Sequence, residues 1–340
     1  MSTQLALPDI ERGPRIRSWV LIALTNLISM SCMFFVLSGA GLSHIWSEVQ
    51  RMHWRWVAGA VVLDSCVYLL HGWRWKIMLA PIARVPFVQA VEAIYVGLFA
   101  NETIPLRAGE LIRCFLLSKS TDIPLSVTLA SAVIERIFDG VWLMACFFWA
   151  LHMGHLPGVL VKAGYVLGVL IVVCSCIIGY AMYARKQAID LVFGIAWPRW
   201  FDTLIDDLHL IGHSRFLYYA FVLSAFYMLA QMLPIYALVQ ANNLNVAWTA
   251  SFTIMVLLRL SSVVPQAPGN LGSFQWVTFR TLVVFGIAAG HAKRFSLILW
   301  AVLTIPLMVI GFVALALEGI NMTHLHREAT SAAQSHKNGG

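Results

Sequence analysis

Long apolar runs separated by short polar stretches dominate the chain. Residues 19–41 form the first run, Trp54–Leu79 the second, and further runs cover 125–151, 159–183, 216–240, 247–264 and 295–317. An α-helix needs about 20 apolar residues to cross a hydrocarbon core, so these runs predict membrane spans. Residues 87–100 and 274–289 are apolar but shorter, and each adjoins a polar stretch containing Pro and Gly, 101–110 in one case and 265–273 in the other. An apolar–polar–apolar pattern interrupted in this way predicts a helix broken at membrane depth, forming a hairpin that is either re-entrant or fully spanning. The expected fold is an all-α polytopic membrane protein of about eight apolar helical segments, two broken hairpins among them.

The remaining stretches fix the organisation. A polar tail of 1–18 precedes the transmembrane domain of 19–318, and a polar tail of 319–340 follows it. The basic start leads straight into an apolar run that is too long for the core of a cleavable leader, which predicts an uncleaved first span. Within 185–213, Trp200, Phe201, Leu204, Ile205, Leu208 and Ile211 recur at helical spacing, with Asp202, Asp206, Asp207 and His209 between them. That pattern predicts an amphipathic helix, either lying on the inner membrane face or packed on the bundle as a linker.

Composition agrees. Hydrophobic residues make up 60% of the chain and charged residues 11%, with mean hydropathy +0.78, too little charge to clothe a soluble domain. A net charge of +7 raises the question of nucleic acid, but the basic residues flank apolar runs and form no stripe with interleaved aromatics. They fit the positive-inside rule and contact with anionic lipid. An inside N-terminus puts Arg12, Arg15, Arg17, Lys76, Arg84 and Lys119 on or near the cytoplasmic face. The aromatic-plus-basic sequence Trp73-Arg74-Trp75-Lys76 then reads as an interface anchor there. Arg51, Arg55, Lys293 and Arg294 fall outside, and the C-terminus inside. The expected location is a bacterial inner membrane. The six cysteines lie in or beside apolar segments and suggest neither a disulfide framework nor a metal site, and no cofactor is expected.

The two broken regions share a pattern. Pro105-x-x-x-Gly109-Glu110-Leu111 aligns with Pro265-x-x-x-Gly269-Asn270-Leu271 at an offset of 160 (265 − 105, and likewise 269 − 109). With the hairpins entering from opposite sides, this is the arrangement of an inverted repeat, which places a site near the bilayer midplane. A helix starting near Gly109 or Gly269 would also offer backbone N–H groups to an anion.

Charges inside the spans supply candidate chemistry. Glu135 and Asp139 are four residues apart and share a helix face, while Arg136 points about 100° away. Arg107, Glu110 and Arg113 are the nearest partners in the first half, and Arg259 is their counterpart in the second. One reading is a polar cavity whose Arg side chains hold a lipid phosphate while carboxylates meet a cationic or sugar head group. The other is a buried ion-pair network joining the first hairpin to the 125–151 span. Asp64, Glu92, Glu102 and Arg280 are weaker candidates.

Three of these motifs, Ile104-Pro-Leu-Arg107-Ala-Gly109-Glu110-Leu-Ile-Arg113, Glu135-Arg136-Ile-Phe-Asp139 and Pro265-Gln-Ala-Pro268-Gly269-Asn270-Leu-Gly272, resemble the transmembrane domain of lysylphosphatidylglycerol synthases and their stand-alone, flippase-like relatives. The resemblance spans roughly 15–320, over three motifs in order. It implies a polytopic protein that moves a lipid between leaflets, with membrane lipids as its partners. The two-part synthases pair this region with a soluble aminoacyl-transfer domain; that activity is not expected here. Asn270 stands where relatives often have Gly, which bears on how tightly the second hairpin packs. Two other classes stay open: an intramembrane lipid-modifying transferase, for which no DxD or His/Asp cluster is found in the loops, and a non-transporting assembly factor for the envelope. A nucleotide-binding P-loop is absent from the sequence, so ATP-driven movement would need a partner.

Overall fold

A computed structural model describes residues 15–38, 42–104, 108–153, 215–262 and 266–338, with a few positions between 165 and 173. The helices are α1 (Arg15–Leu37), α2 (Leu42–Arg51), α3 (Trp54–Leu79), α4 (Phe87–Thr103), α5 (Gly109–Thr121), α6 (Leu125–His152), α7 (Arg215–Ala230), α8 (Met232–Ala241), α9 (Trp248–Ser261), α10 (Ser273–Val284) and α11 (Ala289–Asn338), with a 3-10 turn at Pro268–Asn270. No strand occurs among the described residues. The predicted amphipathic helix of 185–213, the N-terminal tail, Arg107, Pro105 and Pro265 lie outside them.

The surface is inside-out relative to a soluble protein. Leu27, Met30, Phe34, Val62, Phe226 and Phe312 are each more than half exposed, while Arg74, Arg113 and Glu135 are buried. Lipid is the solvent that tolerates that exterior. Trp54–Leu79, Arg215–Ala241 and Ala289–Leu317 are each long and apolar enough to cross a membrane. The Arg215–Ala241 span is broken at Gln231, because Pro234 has no N–H for the Ala230 carbonyl and its ring crowds that carbonyl. The four hairpin helices are shorter. α4 has 17 residues, α5 13, α9 14 and α10 12, so each measures roughly 18–25 Å against a core of about 30 Å. α4 packs on α5 and α9 on α10, so each Pro/Gly interruption joins two helices of a hairpin.

Packing follows the repeat. Exchanging α3 with α7–α8, α4 with α9, α5 with α10 and α6 with α11 leaves the helix contacts unchanged in kind. The helix starts keep nearly the same spacing: Trp54 and Arg215, and Phe87 and Trp248, are 161 apart (215 − 54; 248 − 87), and Gly109 and Ser273, and Leu125 and Ala289, are 164 apart (273 − 109; 289 − 125). α3 and α7–α8 run antiparallel at the centre, since the His53 N–H reaches the Ala241 carbonyl at 3.0 Å and Arg74 reaches Ser224 at 3.0 Å. Antiparallel equivalents are what an inverted repeat requires.

One end of the bundle collects the turn before α3, the α8–α9 turn, the end of α6 and the start of α11. There Trp149 packs on Trp248 and Phe252, and Arg294 donates to Glu48 at 2.5 Å. The basic residues assigned to the outer side therefore share one end. Lys293 is not solvated as its flanking position suggests: it is buried, donates to the Phe35 carbonyl at 2.8 Å and sits 4.1 Å from that ring. The amphipathic α2, with Glu48 toward α11 and Val49 toward the core, went unpredicted because its ten residues are too few to give a strong period.

Candidate functional site

The first hairpin closes tightly. A Cβ placed on Gly109 would lie 1.9 Å from the Gly97 carbonyl oxygen, so α4 and α5 can touch backbone to backbone only because both positions are Gly. Asn101 Oδ1 accepts the Gly109 N–H at 2.9 Å and caps α5. That cap corrects the expectation that this helix start offers its first N–H to an anion. In the second half the helix begins at Ser273 and not near Gly269, and the Gly272 N–H is taken by Gln275 at 2.7 Å.

The close approach of α5 to α4 turns Glu110 and Arg113 toward α6 and α3, where a charge network forms. Glu135, fully buried on α6, accepts hydrogen bonds from His71 and Arg74 of α3 and from Arg113 Nη2 at 2.6 Å. Arg74 also donates to Asp139 at 2.5 Å and its guanidinium lies 4.5 Å from the Tyr227 ring. Arg113 and Arg136 hold Glu110, with contacts of 2.7 and 2.6 Å. Three guanidinium groups thus meet three carboxylates. A lone charge near the bilayer centre costs roughly 3 kcal/mol on insertion scales, and this neutral, hydrogen-bonded set avoids that cost.

Arg74 and Trp75 correct the sequence reading. Both are completely buried, and Trp75 donates from Nε1 to Ser131 Oγ at 2.9 Å; only Trp73 of that pair of tryptophans is exposed. The anchor pattern misled because a helix one-third buried can alternate lipid-facing and core-facing aromatics with the same composition. His71, three residues before Arg74 on the same face, was missed with it.

Beside the network lies a cavity of about 240 Å³, large enough to hold several waters or a small polar group. Both halves build it. Glu110, Arg113, Arg136, Asn101 and Glu102 line it from the first hairpin and α6, and Arg259, Gln266 and Asn270 from the second hairpin. Asp64, Tyr68 and His71 contribute from α3, and Tyr227 and Gln231 from the broken span. Arg259 donates to Gln231 Oε1 and, at 2.9 Å, to the Tyr227 hydroxyl. It makes no ion pair among the described residues. The two hairpin tips meet where Asn270 Nδ2 donates to Glu102 Oε1 at 2.9 Å.

Asn270 also explains why it can replace Gly: its φ is +50°, a left-handed conformation Asn tolerates well, and the neighbouring Gly269 is at +71°. Gly269 serves the turn, its carbonyl accepting from Trp300 Nε1 at 2.7 Å. Of the predicted site residues, Glu110, Arg113, Glu135, Arg136 and Asp139 come together in one network, while Arg259 and Asn270 join the cavity from the opposite half. Gly109 and Gly269 shape backbone, and the arrangement around Arg107 and Pro265 is outside the described residues. Arg280 is exposed beside Trp276 and contributes to neither.

A UPF0104 membrane protein of Methanothermobacter thermautotrophicus is 22% identical over 331 residues, which cover 89% of this chain and 94% of that protein. A UPF0104 membrane protein of Methanocaldococcus jannaschii is 25% identical over 126 residues, 36% of this chain and 36% of that one. The family model described as the lysylphosphatidylglycerol synthase TM region matches residues 21–311, a stretch that contains both hairpins, the whole charge network and every residue lining the cavity. By that match the chain is a multi-pass membrane protein of the lysylphosphatidylglycerol synthase TM region family.

Proposed function

We propose that this protein translocates a lipid between leaflets, seating the head group in the cavity between the two hairpins while the acyl chains stay in the bilayer. The observation that carries this reading is a polar cavity built from both halves of an antiparallel repeat, with Arg259 facing it and bound there only by neutral groups among the described residues. A guanidinium beside a phenol and an amide suits a phosphate oxygen, to which Arg donates two parallel bonds. The neutral network behind it holds the first hairpin in place and leaves the cavity charges to the ligand. The protein acts by moving and not by modifying its lipid, in a cytoplasmic membrane with both termini inside, as the basic-residue bias favours.

The test is purified protein in liposomes carrying a fluorescent phospholipid in one leaflet, followed by a membrane-impermeant quencher. Wild type should equalise the label faster than protein-free vesicles, and Arg259→Gln should slow it about tenfold, the cost of losing a charged hydrogen bond. Wild type that leaves the label where it started, across head groups of each charge, would overturn the reading.

A further inference from the structure

Asp64 is the eleventh residue of the 26-residue α3, so it sits near the middle of a span. It lines the cavity and has no hydrogen bond or ion pair among the described residues. The other cavity carboxylates are engaged, Glu102 by Asn270 and Glu110 by Arg113 and Arg136. Arg259 in α9 lines the same cavity from the other half, held by neutral groups. A carboxylate without a partner and a guanidinium without a carboxylate therefore share one small space, one from each half of the repeat.

The groups around Asp64 leave these two to balance each other. Its own helix brings Tyr68 and His71, α4 brings Tyr95 and Glu102, and α7 brings Tyr227. Glu110, Arg113 and Arg136 of α5 and α6 lie in the closed network; the break between α7 and α8 offers the cavity the uncharged Gln231, and α11 offers Thr304. With the cavity empty, the negative charge of Asp64 and the positive charge of Arg259 cancel. A phosphodiester placed on Arg259 adds one negative charge and leaves Asp64 without its compensation. In apolar surroundings that excess is removed most directly by a proton from water, which forms an O–H bond on the Asp64 carboxylate and restores the original charge.

Building on the translocation reading, we propose that Asp64 and Arg259 form a proton-linked anion site, at which a singly charged phosphodiester head group binds Arg259 and one proton binds Asp64 together. The linkage is reciprocal: protonating Asp64 strengthens anion binding, and anion binding draws in the proton. A proton gradient then drives the lipid in the direction that protons flow, which supplies an energy source without a nucleotide.

Calorimetric titration of the full-length protein in nanodiscs with a short-chain, water-soluble phosphatidylglycerol tests this, run at neutral pH in buffers of low and high protonation enthalpy. The expected result is uptake of about one proton per lipid by wild type, shown by different apparent enthalpies in the two buffers. Asp64→Asn, fixed in the neutral form, should bind the lipid with no proton uptake, Asp64→Glu should restore uptake, and Arg259→Gln should weaken binding about tenfold. Binding by wild type with identical enthalpy in both buffers, or uptake that persists in Asp64→Asn, overturns the coupling and leaves the head-group site standing. Wild type that binds no lipid overturns both.

Discussion

Replacing Glu135 with Gln isolates the structural role of the charge network. The carboxylate is completely buried and accepts from His71, Arg74 and Arg113. Gln keeps the shape but turns one acceptor oxygen into an NH2 group that faces another donor. It also leaves three guanidinium groups against two carboxylates. Breaking a buried pair from one side costs about 3–5 kcal/mol, more than a neutral hydrogen bond because a charge is left uncompensated. At a few degrees per kcal/mol, the melting temperature should fall on the order of 5–15 °C. Buried Cys114 and Cys146 supply the assay: thiol-reactive dye in a thermal ramp of the detergent-solubilised protein reports when they become accessible. Arg136→Gln is the internal control, since its side chain is 48% exposed and lines the polar cavity, so its loss should cost less, about 1–2 kcal/mol. A Glu135→Gln protein that melts within about 2 °C of wild type, or an Arg136→Gln protein that falls as far, would refute the assignment of Glu135 as the hub.

Gly109→Ala forces a Cβ to within 1.9 Å of the Gly97 carbonyl, so the first hairpin should open at a cost of about 3 kcal/mol or more, read as loss of monodisperse protein on size exclusion. Trp75→Phe should cost about 1–2 kcal/mol by removing the bond to Ser131, whereas Trp73→Phe, at an exposed position, should stay within about 0.5 kcal/mol; equal effects in the same thermal ramp would put Trp75 back at an interface. Asn270→Gly keeps the left-handed turn and loses the bond to Glu102, costing about 1 kcal/mol, while Asn270→Ala adds a backbone penalty of roughly 1 kcal/mol, so melting temperatures should fall in the order Asn, Gly, Ala.

Much of the fold was legible because lipid imposes a simple rule: apolar length decides what crosses. The runs at Trp54–Leu79 and 125–151 match α3 and α6 almost to the residue, and the Pro/Gly interruptions mark both hairpin turns. The candidate site was legible where charges fell inside an apolar run, as with Glu135 and Asp139, since an ion at that depth must have company. It was not legible where a charge stood at the end of a run. Arg74 has the local sequence of an interface anchor, and only the antiparallel packing of α7 against α3 reveals that it turns inward to Asp139 and Ser224. Gln231 and Tyr227 were invisible for another reason: neither is charged, and their roles follow from the break at Pro234 that lets Gln231 reach Arg259.

The repeat is symmetric in backbone but not in the forces that hold it. Carrying the first half onto the second by the offsets of the helix starts (161 for α3, 164 for α5 and α6) places Leu299 where Glu135 stands, Leu303 where Asp139 stands, Ile235 where Arg74 stands and Val277 where Arg113 stands. Leu299 and Ile235 lie in the main apolar core, and Leu303 packs against it. The first hairpin is therefore fastened by a buried set of ion pairs, and the second by apolar packing with a few hydrogen bonds, Trp300 to the Gly269 carbonyl and Arg259 to Tyr227 among them. In mechanical terms the repeat pairs a stiffer element with a softer one built on a related backbone. The Asn270–Glu102 bond ties the tip of the hairpin that carries Arg259 to the tip of the stiffer one, across the cavity both halves line.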